Sequence, residues 1–77
     1  MAKTAGHSNA NRVWIITTFD GKVAVSAVTE TTYQLGVNQP GSRKEWKSER
    51  GAREALRRIR RVTVGGTILY AHRISLD

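Results

Sequence analysis

A chain of 77 residues builds one domain around one thin core, near the lower limit for independent stability. It contains no cysteine, which excludes disulfides, thiolate metal sites and thiol catalysis and fits a cytoplasmic protein. Thirteen Lys and Arg against six Asp and Glu give a formal net charge of +7, and no apolar run approaches the length of a membrane helix.

Residues 1–11 are small and polar, lack the apolar segment of a secretory signal, and read as a flexible tail. Residues 12–77 then read as a single α+β domain. Val13 to Phe19 is rich in β-branched and aromatic residues and predicts a strand. Asp20-Gly21 predicts a two-residue type I′ turn, and Val23 to Val28 the returning strand. With that turn Trp14 faces Ala27, Ile16 faces Val25 and Thr18 faces Val23, on the side expected to form the core. The other side carries Val13, Ile15, Thr17, Phe19, Lys22, Ala24, Ser26 and Val28, and is expected to need a cover. Tyr33, Leu35 and Val37 alternate, so the sheet continues as a longer second strand or a third one. Asn38-Gln39-Pro40-Gly41 is a turn. Lys44 to Lys47 is a candidate short strand.

The helix is the clearest element. Ser48 is the expected N-cap, with Glu49 in the first turn. Ser42-Arg43-Lys44-Glu45 also matches a capping box, but the apolar period begins only at Ala52. Ala52, Ala55, Leu56, Ile59 and Val62 follow the spacing of a buried stripe and predict a helix near 49–61. Gly51 weakens its first turn. Gly65-Gly66 ends the helix or makes a tight hairpin. Thr67 to Leu76 predicts a last strand, with Ile68, Tyr70, His72, Ile74 and Leu76 on one face and Leu69, Ala71, Arg73 and Ser75 on the other. The fold class expected is therefore α+β: a small antiparallel sheet with one amphipathic basic helix on one face.

Catalytic and metal chemistry find no support. The two histidines, His7 and His72, stand apart and lack partners at ligand spacing, so no metal and no cofactor is expected. No serine stands in a nucleophile elbow, and Gly65-Gly66 lacks the spacing of a phosphate loop. The six acidic residues read as turn, cap or solvated groups, and a non-enzymatic protein is expected.

What remains is charge. Residues 43–61 hold nine basic and three acidic residues, so +6 of the net +7 lies in one stretch. Arg43, Lys44, Lys47, Arg50, Arg53, Arg57, Arg58, Arg60 and Arg61 are the candidate binding residues. Arg53, Arg57 and Arg60 share one helical face, and the planar guanidinium suits bidentate phosphate contacts. The plain alternative is a solvated helix face, supported by the i, i+4 pairs Glu49–Arg53 and Glu54–Arg58. Trp46, between Lys44 and Lys47, is either a stacking platform for a base or a core anchor at the helix entrance, with the anchor favoured.

Two resemblances attach to these residues. Ile68 to Ser75 resembles the second sequence motif of Hfq, the bacterial Sm-like RNA chaperone family, at Tyr70, His72, Ile74 and Ser75. The likeness spans these eight residues alone. That family's N-terminal helix has no counterpart, and a basic helix stands where it has consecutive strands. The β-β-α-β order is also similar to short phage and bacterial domains, including phage inhibitors of host RNA polymerase. That likeness is architectural and fixes no function.

The expected function is a small accessory protein that binds DNA or RNA through the arginine face. The alternative is an interaction or inhibitor protein, of the kind phages and mobile elements encode, docking that face on an acidic host protein. A homodimer through the sheet face carrying Val13, Ile15 and Phe19, or through an edge strand, is a further expectation.

Overall fold

The computed structural model describes residues 12–62 and 67–76. It contains strands β1 (Arg12–Thr17), β2 (Val23–Val28) and β3 (Tyr33–Val37), helix α1 (Glu49–Val62) and strand β4 (Tyr70–Ser75). The strands form one antiparallel sheet in the order β3-β2-β1-β4, and α1 packs on one face. The α+β architecture read from the sequence is thus the observed one. The tail over residues 1–11 and the Gly65-Gly66 pair lie outside the described residues.

Next to the turn the first hairpin keeps the expected register, but the turn itself is not the expected one. Thr17 pairs with Ala24, and the Thr18 N–H donates to the Val23 carbonyl at 3.0 Å. The tight bend is centred on Phe19-Asp20, closed by a 3.0 Å bond from Gly21 N–H to the Thr18 carbonyl. Gly21 alone takes the left-handed conformation, at φ +75°, while Asp20 does not, so the turn is not type I′. The Asp20 carboxylate explains the choice: it accepts from the Thr18 hydroxyl at 2.7 Å and from the Lys22 N–H at 3.0 Å.

Away from the turn, β1 and β2 splay, and the segment before the helix enters the gap. Trp14 exchanges two backbone hydrogen bonds with Trp46, at 2.7 and 2.9 Å, and the Lys44 N–H donates to the Val25 carbonyl at 2.8 Å. Trp14 is therefore paired with Trp46 rather than with Ala27. The candidate strand at 44–47 shrinks to this one bridge, yet it satisfies backbone groups of both strands at the sheet centre.

β3 is a separate strand, joined to β2 through a loop in which the Thr29 N–H donates to the Thr32 carbonyl at 2.8 Å. A register shift between Val25 and Ala27 marks a bulge at Ser26. One extra residue inverts the faces beyond it, so Val28 packs against the helix-side core with Tyr33 instead of facing away.

The core joins Ile16 and Val25 from the sheet to Ala55, Leu56 and Ile59 from α1 and Leu69 before β4. Ile16 and Val25 are fully buried and Ile59 is 2% exposed. Burying side chains of this size contributes roughly 1.5–3 kcal/mol each. Ala52 is also buried, so the helical stripe faces inward as its spacing requires, with Val62 half-buried at its end.

The opposite face departs from expectation. Val13, Ile15, Thr17 and Ala24 are all buried within the chain, so this half of the second face is not an open patch. Part of the cover is the segment entering the sheet. Gln39-Pro40-Gly41-Ser42 forms a turn with Gly41 at φ +88°, and the Ser42 carbonyl lies 3.9 Å from where a Gly36 Cβ would stand. Lys44 and Trp46 line a groove with Gly51, Ala55 and Arg58 of the helix. The basis for dimerisation through Val13 and Ile15 is thereby removed. Phe19, on the same side in the sequence pattern, stays 89% exposed.

Candidate functional site

The helix presents its arginines because its other side is committed. Ser48 caps it: the Gly51 N–H donates to Ser48 Oγ at 3.1 Å, and the Ala52 N–H donates to the Ser48 carbonyl at 3.3 Å. Gly51 has a packing role that its poor propensity hides. A Cβ there would stand 3.3 Å from Trp46 Cδ1 and 3.3 Å from Ser48 Oγ, so glycine lets the indole lie against the first helical turn. Trp46 is accordingly half-buried against the core, as an anchor at the helix entrance, with Lys44 Nζ 5.6 Å from its ring centroid.

The nine candidate cations fall into distinct groups. Arg43 turns inward, its side chain 8% exposed, and donates to Glu45 Oε2 at 2.9 Å and to Asn38 Oδ1 at 3.0 Å. Held in this way, it is not presented to a ligand. Arg53 donates to Glu49 Oε2 at 2.7 Å and lies over the Trp14 ring at 5.6 Å. Arg50 pairs with Glu54 at 3.5 Å. Glu54 thus serves the preceding turn, and the expected Glu54–Arg58 pair is absent.

Arg57, Arg58, Arg60 and Arg61 remain. All are exposed, and among the described residues none has an ion pair. Arg60 borders a groove shared with Leu56, Ile59, Thr67, Ile68 and Leu69. Arg58 and Arg61 border another beside Glu30 and Val62, on the other flank of the helix. Lys44 and Lys47 are exposed near the helix start. The positive surface is therefore strongest over the last two turns of α1, not along its whole length.

Arg73 was not among the candidates. The register sets it directly opposite Trp14, on the helix-bearing face, whose Trp14 ring already carries Arg53. Its place in the sequence pattern, on the face of Leu69 and Ala71, was the available signal. Phe19, expected on the uncovered sheet face, and Tyr70, expected in the last strand, stand apart from the candidate cations. Both are exposed, and Phe19 beside a turn signal has no core to join.

His72 faces Thr17, its Nε2 2.9 Å from the hydroxyl, a diagonal cross-strand contact on the face away from the helix. Among the described residues no group of three or more His, Cys, Asp or Glu is placed to hold a metal ion, and no helix is long and apolar enough to cross a membrane. No family model, no curated protein and no solved structure matches this chain.

Proposed function

We propose that the chain is a non-enzymatic nucleic-acid-binding protein whose contact surface is the C-terminal half of α1, with Lys44 and Lys47 as outlying cations. The observation that carries this reading is the clustering of Arg57, Arg58, Arg60 and Arg61, exposed and without acidic partners among the described residues. A merely solvated helix gains most from opposite charges interleaved, as in its first half. Four adjacent guanidinium groups repel one another instead, and that repulsion is relieved by an anion. Repeated phosphates at close spacing are such an anion, and arginine meets them with two parallel hydrogen bonds.

The partner is then held through its backbone, and affinity falls steeply with salt through counterion release. Fluorescence anisotropy with labelled DNA and RNA, single-stranded and duplex, across a salt series tests this. Saturable binding with a negative slope of log K against log salt is expected. Absence of binding to every nucleic acid at low ionic strength ends the reading. Capture of an acidic protein by the same arginines would then put the inhibitor-type reading in its place.

A further inference from the structure

Two aromatic side chains contribute nothing to the core. Phe19 projects from the β1–β2 turn, 89% exposed, and Tyr70 opens the edge strand β4, 42% exposed. Their rings meet edge to face, with centroids 6.1 Å apart and planes at 62°. With Val23, Thr67 and Ile68 they line an open groove, and Ile68 is itself 65% exposed. Leaving this much apolar surface in water gives up burial free energy that a core position would recover.

A second groove shares two of these residues. Thr67 and Ile68 also line the groove that Leu56, Ile59, Leu69 and Arg60 form at the helix. Thr67 and Ile68 thus stand between the aromatic groove and the one bordered by Arg60, with Arg57 one turn before it on the same flank.

We infer that this surface takes single-stranded nucleic acid, with unpaired bases stacking on Phe19 and Tyr70 while the phosphates lie along Arg60 and Arg57. The inference rests on the nucleic-acid reading above and narrows it. Unpaired bases offer π-faces to aromatic rings, whereas the bases of a duplex are already stacked on each other. Cations beside aromatic rings suit such a strand. They suit a second copy of this chain poorly, because it would bring a like-charged helix to the same place. Asp20 also lines the aromatic groove, and its carboxylate is held by the Thr18 hydroxyl and the Lys22 N–H. It repels phosphate there and directs the strand's backbone toward the arginine side.

The test uses labelled single strands of roughly 12 nucleotides, near the span of one small binding site, and duplexes of the same length. Wild type is compared with Phe19→Ser/Tyr70→Thr, with Phe19→Trp, and with Arg57→Gln/Arg60→Gln. Wild type is expected to prefer the single strand. The aromatic double variant should lose roughly tenfold or more in single-strand affinity, since stacking is worth that much per base, and keep its salt slope and duplex affinity. Phe19→Trp should retain binding, and the arginine variant should weaken both ligands. Urea midpoints check that each variant is folded. Equal affinity of wild type for duplex and single strand overturns the inference, as does unchanged single-strand binding by the folded aromatic variant. So does a wild-type dimer that the aromatic variant dissolves. In those cases the arginine variant still weakens binding and the broader reading stands. Loss of all nucleic-acid binding by wild type removes both.

Discussion

The two halves of α1 set their arginines in different surroundings, two in the first half and four in the second. In the first half, Arg50 and Arg53 have Glu54 and Glu49 within 3.5 and 2.7 Å, and Arg53 also covers Trp14. In the second half, Arg57, Arg58, Arg60 and Arg61 have no such partners among the described residues. The first half pairs its charges along the helix and lays Arg53 over Trp14, and the second half presents its own. Arg43 extends the lesson. It lies in the same charge run, yet at 8% side-chain exposure it serves the fold. Charge density in a sequence locates a positive region, but the acidic neighbours and the burial decide which cations are presented.

The largest effect expected is on the core that both halves share. Ile59→Ala removes a side chain that is 2% exposed, under the presented arginines, and should cost about 2–5 kcal/mol in urea unfolding. That is a large share of the stability of a domain this small. A loss under 1 kcal/mol would mean that the second half of the helix is not anchored as described.

Next come the arginines themselves. Arg57→Gln/Arg60→Gln/Arg61→Gln should lower the salt slope of nucleic-acid binding by about three units and leave the urea midpoint nearly unchanged, since Gln is a good helix former. Arg50→Gln/Arg53→Gln should do the reverse, with a small loss of stability and little change in slope. Equal slopes for the two variants would break the distinction between the halves. Arg43→Gln is predicted to destabilise by about 1–3 kcal/mol without changing the slope, because it strips a mostly buried hydrogen-bonded pair.

The N-cap gives a smaller effect. Ser48→Ala should cost about 1 kcal/mol through the lost Gly51 hydrogen bond and leave binding intact, as measured by thermal unfolding and anisotropy together.

The smallest effect is on the turn. The Thr18 hydroxyl bond, and then the Lys22 N–H bond, hold the Asp20 carboxyl below the ordinary aspartate range. A lowered folded pKa favours the ionised native form. Its contribution is therefore complete above about pH 4 and fades as pH falls through the folded value. Carboxyl titration by NMR should show Asp20 moving back up in Thr18→Val.

The helix, and the hairpin's strands with their register next to the turn, were legible in local chemistry. Ser48, the stripe through Ala52, Ala55, Leu56 and Ile59, and the sum-constant register around Asp20-Gly21 depend on residues close in the chain. The position of the positive surface was legible only as a stretch, because it depends on where each carboxylate reaches. Glu54 could pair forward to Arg58 or back to Arg50, and nothing in the spacing chooses between them.

Tertiary structure alone decided three things, each because partners distant in sequence compete for the same backbone or space. Trp46 takes the Trp14 pairing that the hairpin pattern assigned to Ala27. The Ser26 bulge moves Val28 to the helix side. Burial of Val13 and Ile15 turns a two-faced hairpin into a covered central strand, leaving Phe19 and Tyr70 as the aromatics in solvent. Local sequence specifies which segments are helix or strand through period and capping. Which apolar residues stay outside depends on what the rest of the chain brings to cover them, and that is settled only when the strands are ordered.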